Sequence, residues 1–184
     1  MKIGVISDTH DQRLQILKAI DIFNKEKVGL VVHCGDWVAP FSAARFAALK
    51  CNSAKGRMHN RANPDLCPVK GVFGNNDGDK NLHRQRNGGF IEYYDEKMEL
   101  AVEGRKIFVT HGHIPQLAEK ALKSGGYDAV FSGHTHIAHV KKEGKTLWLN
   151  PGTLVDETND NIKGMSVAIY DTATNTATII SLQT

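Results

Sequence analysis

Five times along this chain an apolar, often β-branched run ends in a short polar motif, and that recurrence constrains the fold more than any other feature. In chain order the motifs are Asp8-Thr9-His10, Gly35-Asp36, Gly74-Asn75-Asn76-Asp77, Thr110-His111-Gly112-His113 and Gly133-His134-Thr135-His136. Apolar runs bounded in this way read as buried strands, so the polar side chains are expected to gather where strands end. Carboxylate, imidazole and amide groups collected together describe a metal site. The seven candidate ligands, Asp8, His10, Asp36, Asn75, His111, His134 and His136, are too many for one ion. The residues therefore imply a two-metal hydrolase.

Spacing adds to this. Asp8 and His10 are two residues apart, as are His134 and His136. Residues i and i+2 near a strand end point the same way, so each pair is expected to present two ligands to one pocket. Thr9 and Thr135 then face the other side and can anchor the backbone. Oxygen-rich sites with some imidazole suit Mn²⁺, Fe²⁺ or Zn²⁺ over thiophilic metals. Two divalent ions about 4 Å apart repel strongly without an anionic bridge. A carboxylate between them supplies it, and a shared water, its pKa lowered toward neutrality, gives a hydroxide nucleophile.

The elements follow from periodicity. Residues Lys2–Ser7 read as a strand, Gln12–Lys27 as a helix with Leu14, Leu17, Ala19-Ile20 and Phe23 at helical period, and Leu30–His33 as a second strand. Gly29 is expected to close the helix. This is a βαβ unit, which predicts parallel strands with a right-handed crossover. Pro40–Leu49 reads as a short helix opened by proline, Asn52–Pro68 as one long loop or insertion, and Lys70–Phe73 as a strand. Lys97–Val102 and Arg105–Thr110 read as a hairpin around Glu103-Gly104, Pro115–Lys123 as a helix, and Tyr127–Ser132 as a buried strand. Two further hairpins are Ala138–Lys142 with Lys145–Leu149, and Met165–Asp171 with Ala177–Leu182. The fold class expected is α/β: parallel pairing early, antiparallel late, in two packed sheets with helices outside.

Composition bounds the rest. At 184 residues and 41% hydrophobic content the chain suits one domain, 1–184, with a full core. No apolar run approaches the roughly 20 residues that span a membrane. The N-terminus lacks a signal-peptide layout, so a cytoplasmic location is expected. Three cysteines, Cys34, Cys51 and Cys67, lack metal-type spacing and read as reduced thiols. The net charge of +3 is small, with basic residues at Lys55-Gly56-Arg57, Arg61 and Lys80 to Arg86. These read as solvated faces, without the aromatic-interleaved basic stripe of a dedicated nucleic-acid binder.

The ordered series resembles the calcineurin-like metallophosphoesterases, most closely the small YfcE-type phosphodiesterases of bacteria and archaea. The resemblance runs from Asp8 to the Asn150-Pro151-Gly152 turn. It implies a β-sandwich flanked by helices, with a dinuclear centre where the loops meet. It assigns Asp8, His10, Asp36 and His136 to the first metal, and Asn75, His111 and His134 to the second, with Asp36 bridging. It implies Mn²⁺, or else Fe²⁺, Ni²⁺ or Zn²⁺, and hydrolysis of a small phosphodiester substrate by a bridging hydroxide. Members often self-associate, so a homo-oligomer is allowed for. Many members of the superfamily carry a histidine where this chain has Asn76. Asparagine can bond a phosphate oxygen but cannot act as a general acid, which predicts a preference for good leaving groups. The alternatives are a Vps29-like protein-binding scaffold, or a phosphomonoesterase or nuclease of the same superfamily.

Other polar residues have plainer roles. His113 is a candidate for facing the pocket or touching phosphate. His33 is expected to be a hydrogen-bonded structural histidine, and His59, His83 and His139 to lie at the surface. Asp77 is expected to orient the GNND turn, Asn150-Pro151-Gly152-Thr153 to form a tight turn, and Trp37 and Phe73 to pack.

Overall fold

The computed structural model describes residues 1–50, 67–159, 161–162 and 164–182. In chain order its strands are β1 (Lys2–Ile6), β2 (Leu30–His33), β3 (Val69–Val72), β4 (Ile91–Tyr94), β5 (Lys97–Val102) and β6 (Arg105–Thr110). They continue with β7 (Ala129–Phe131), β8 (His139–Glu143), β9 (Thr146–Asn150), β10 (Ser166–Asp171) and β11 (Thr176–Ser181). The helices are α1 (Arg13–Glu26), α2 (Pro40–Ala43), α3 (Lys80–Asn87) and α4 (Pro115–Ser124), with a 3-10 turn at Ala44–Ala48. Among the described residues no helix is long and apolar enough to cross a membrane.

The strands form two sheets. The first runs β11-β10-β1-β2-β3-β4, with β1 to β4 parallel and β10 antiparallel to β1. The second runs β5-β6-β7-β9-β8. Its centre is parallel, β6 with β7 and β7 with β9, where only antiparallel pairing was expected. The reason is α4, which carries the chain back across the sheet between β6 and β7 as a crossover.

The two sheets pack face to face. Ile3 and Val5 of β1, Leu30 and Val32 of β2 and Val72 of β3 meet Val109, Phe131, Leu147 and Leu149 of the second sheet. The alternate residues of the first sheet, Ile6 and Val31 among them, turn outward to α1. Gly4 sits on that outer face because the Phe23 ring lies against it, and a Cβ there would come within 2.7 Å of the ring. On the far side α4 covers Phe108 and Val130 with Ala118 and Ala121. This is the expected α/β architecture of two sheets flanked by helices.

Several local expectations are corrected. The buried stripe of α1 is Ile16, Ala19, Ile20 and Phe23, and Leu14 and Leu17 face solvent. That helix ends not at Gly29 but at Lys27, which takes the left-handed conformation (φ 57°). Gly29 instead leads into β2, its N–H donating to the Lys2 carbonyl at 3.0 Å. The segment 40–49 is one α turn followed by a 3-10 turn. The basic stretch Lys80 to Arg86 is a helix, and β4 follows it. His83 is fully buried, with Nε2 against the Val38 carbonyl at 3.2 Å. His139 is half-buried with its ring edge-on to Trp148. The long loop read at 52–68 lies outside the described residues except for Cys67 and Pro68. Cys51, His59 and the basic group Lys55, Arg57 and Arg61 lie outside them as well.

Candidate metal centre

The polar motifs meet at the carboxyl ends of the parallel strands of both sheets, the edge at which open α/β sheets form their clefts. The first sheet supplies Asp8 and His10 after β1, Asp36 after β2 and Asn75 after β3. The second supplies His111 after β6 and His134 and His136 after β7.

The ligand pairs converge for a different reason from the one their spacing gave. Asp8 (φ 50°), His10 (φ 38°), Asp36 (φ 60°), His134 (φ 69°) and His136 (φ 59°) all adopt left-handed backbone. They lie in tight turns beyond the strands, so pleat alternation does not aim them. Backbone of this kind costs energy and persists where its surroundings over-determine it. Those surroundings are bonds between loops. The Asp8 N–H donates to the Gly35 carbonyl at 2.9 Å and the Thr9 N–H to the Asp36 carbonyl at 3.0 Å. Thr153 Oγ1–H donates to the Asp8 carbonyl at 3.0 Å, and Asn150 Nδ2–H to the Gly133 carbonyl at 2.9 Å. The Asn-Pro-Gly-Thr turn thus holds two ligand loops together.

The glycines that open the motifs answer to close approach. A Cβ on Gly74 would lie 2.1 Å from Asp36 Oδ1, and one on Gly133 would lie 1.9 Å from Ser7 Oγ and 2.6 Å from Asp8 Oδ2. Larger residues would drive the ligand loops apart.

His33 clamps the first two loops, as expected of a structural histidine. Its Nδ1 accepts the Gly35 N–H at 3.0 Å, so Nε2–H donates to Thr9 Oγ1 at 3.2 Å, and Thr9 in turn donates to the Asp36 carbonyl at 3.3 Å. Burial, with His111 nearby, holds His33 well below the usual histidine range, in the neutral form this chain of bonds needs. Its ring stacks on Trp37 at 3.6 Å between centroids.

At the centre two groups of side chains bring ligand atoms within 4.8 Å of one another: Asp8, His10 and His136, and Asp8, Asp36 and His111. Asp36 Oδ2 lies 3.5 Å from His10 Nε2 and 3.3 Å from His111 Nε2. Asp8 Oδ1 lies 3.3 Å from His136 Nε2. Asn75 Oδ1 is 3.1 Å from His111 Nε2. The His134 N–H donates to Asp8 Oδ2 at 3.0 Å, while its ring, 5.1 Å from that of His111, is exposed and joins neither group. His113 is half-buried beside His111, with a buried Nδ1 that makes no hydrogen bond.

The donor chemistry fits a cation. His111 Nδ1–H donates to the Cys34 carbonyl at 2.9 Å, which turns the Nε2 lone pair toward Asp36 and Asn75. Lone pairs of a carboxylate, an amide oxygen and an imidazole then face one point, and only positive charge can sit among them. The pKa of His111 is raised: burial opposes it, but Asp36 and Asp8 prevail. Burial likewise works against the Asp36 carboxylate, yet His111 and the Asn76 donors hold that group well below the usual range. Asp8 Oδ1 and His10 Nε2 are buried with no hydrogen-bond partner. Orphaned buried acceptors are costly, and a divalent ion would satisfy both.

One participant gave no signal in the sequence. Glu157 meets His136 Nδ1 through a carboxylate oxygen. The nearby Asp8 carboxylate, against burial and with help from Glu157, pushes that imidazole up to about 9. Carboxylate–imidazole pairs of this form orient a ligating histidine and fix its tautomer.

A model of the calcineurin-like phosphoesterase superfamily domain matches residues 1–175. The chain belongs to the calcineurin-like phosphoesterase superfamily. It is 37% identical over 154 residues to phosphodiesterase MJ0936 of Methanocaldococcus jannaschii, covering 83% of each chain. A solved archaeal phosphodiesterase superposes with a TM-score of 0.81 at 33% identity, over 99% of this chain and 100% of that one. The fold is also that of the phosphoesterase YfcE of Escherichia coli (TM-score 0.62, 18% identity, 94% of this chain and 89% of that one).

Proposed function

We propose that this superfamily member is a dinuclear metal-dependent phosphodiesterase. The observation that carries the metal site is the convergence of Asp8, His10, Asp36, His111 and His136, with Asp8 Oδ1 and His10 Nε2 buried and unpartnered. The diester preference rests on the resemblance to the archaeal phosphodiesterases and on asparagine at position 76.

In this reading Asp8, His10, Asp36 and His136 hold one ion, and Asn75, His111 and His134 the other. Asp36 would serve both ions, since its Oδ2 lies 3.5 Å from His10 Nε2 and 3.3 Å from His111 Nε2. Two divalent ions, Mn²⁺ in our reading, would lower the pKa of a shared water toward neutrality to supply a hydroxide, and would neutralise phosphoryl charge. The protein's own part is positioning. Asn76 donates from its backbone N–H and from Nδ2 to the two oxygens of Asp36, at 3.0 and 2.8 Å. The second hydrogen on Nδ2 is left for a phosphoryl oxygen. Burial and then the neighbouring His111 and His134 hold His113 below the usual histidine range. It therefore meets the substrate as a neutral imidazole.

Asn76 hydrogen-bonds but cannot act as a general acid, so leaving groups of low pKa are favoured and monoesters are turned over slowly. The runner-up, a scaffold role like that of Vps29, gives no reason for the buried, unpartnered Asp8 Oδ1 and His10 Nε2.

The test is hydrolysis of bis(p-nitrophenyl) phosphate by metal-stripped protein with and without Mn²⁺, beside Asp36→Asn. Mn²⁺-dependent turnover that the variant lacks is the expected result. Turnover that survives exhaustive chelation would overturn the proposal.

A further inference from the structure

Large apolar side chains left in solvent need no explanation when they are scattered singly. Here they are grouped along the chain. Among the described residues the exposed ones are Leu14, Leu17, Phe41, Ile137 and Val140. Each follows closely on a member of the metal cluster: Leu14 and Leu17 on His10, Phe41 on Asp36, Ile137 and Val140 on His136.

Phe41 is the largest of them and is tied closely to the site. The Val38 N–H donates to Asp77 Oδ1 at 2.8 Å, and the Ala39 N–H to Asp11 Oδ1 at 3.0 Å. The second bond joins the loop after His10 to the loop after Asp36, so the starts of α1 and α2 are neighbours. Leu14 (75% exposed) stands in the first turn of one, and Phe41 (57% exposed) in that of the other. Asn87 Nδ2–H donates to the Pro40 carbonyl at 2.8 Å, and the Arg86 guanidinium lies 4.5 Å from the centre of the Phe41 ring. An exposed ring is thus held on rigid backbone with a cation over it. An apolar surface carrying positive charge suits an anion with a planar, apolar end.

We infer that the substrate is a diester with a planar, apolar ester group that stacks on Phe41. This deepens the phosphodiesterase reading above and rests on it.

Two diesters sharing one leaving group separate the possibilities: phenyl p-nitrophenyl phosphate and methyl p-nitrophenyl phosphate, each with Mn²⁺-loaded protein. Water adds at phosphorus, the bond to p-nitrophenolate breaks, and the phenyl or methyl ester remains on the product. Comparing the phenyl-to-methyl ratio of kcat/KM between proteins cancels the intrinsic reactivity of the esters. Stacking on an aromatic side chain predicts that the ratio falls about tenfold in Phe41→Ser, chiefly through KM. Phe41→Leu, which keeps the bulk without the flat ring, should lower the ratio as well. An unchanged ratio in both variants, with turnover intact, would overturn this inference alone. A cyclohexyl ester that matched the phenyl ester in the unsubstituted protein would also overturn it. If the unsubstituted protein hydrolyses neither diester, the phosphodiesterase reading falls and this inference with it.

Discussion

Asp77 Oδ2 accepts the backbone N–H of Asp36 at 3.1 Å, although the two residues belong to different strand-end loops. The same oxygen accepts the Gly74 N–H at 2.6 Å, and Oδ1 accepts that of Val38 at 2.8 Å. One carboxylate thereby satisfies three amides and fixes the position of the residue between the two imidazoles.

Removing that carboxylate should cost both stability and metal. Each buried amide left without an acceptor costs about 1–3 kcal/mol, so Asp77→Ala is expected to lose at least about 3 kcal/mol in urea denaturation. Asp77→Asn keeps one acceptor oxygen and should lose less. A loss below about 1 kcal/mol for the alanine variant would show that water replaces the carboxylate.

Gly133→Ala should damage the centre from behind. Its Cβ would lie 1.9 Å from Ser7 Oγ and 2.6 Å from Asp8 Oδ2, so the β7 loop must retreat. Overpacking of this kind costs about 1–3 kcal/mol. Weaker Mn²⁺ binding by calorimetry should accompany it, because His134 and His136 ride on the same loop.

Glu157→Gln tests the orientation of His136. Loss of an outer carboxylate partner typically weakens metal affinity about 10- to 100-fold. The expected result is a weaker Mn²⁺ Kd, with the metal-free melting temperature close to that of the unsubstituted protein. An unchanged Kd would mean that His136 keeps its orientation without the carboxylate.

Acid sensitivity has an identifiable source away from the centre. Asp128 accepts the Lys106 backbone N–H at 2.9 Å and pairs with Arg105 at 3.0 Å. The Lys106 N–H first, and then Arg105, hold its carboxyl below the usual range. A depressed folded pKa means a contribution that is present above the unfolded value of about 3.9. It is lost as pH falls through the folded value. Asp128→Asn should therefore be less stable at neutral pH and show a shallower fall in stability below about pH 4. Parallel curves for the two proteins would refute this assignment.

Every strand but β4, and the candidate ligands, were legible because burial leaves unbroken apolar runs, and the motifs interrupt them. The helix α3 was hidden for the opposite reason. Its sequence KNLHRQRN has one apolar residue, and it buries His83 and Asn87. Those polar atoms bond to Val38, Tyr93 and Pro40, contacts that no hydrophobic period records. The stripe of α1 was read with Leu14 and Leu17 inside, when the face that packs begins at Ile16. Periodicity marks that a face exists, and a helix with leucines on both sides leaves the choice to tertiary packing. Glu157 lies in a polar loop and reaches His136 only through the fold.

The candidate centre draws Asp8, Asp36 and Asn75 from one sheet and His111, His134 and His136 from the other. An ion held among them would therefore act as a cross-link between the two sheets. Whatever lets the sheets slide or part must first release it. Binding energy at the centre then adds to the free energy of folding, so resistance to heat should track the supply of metal in the medium.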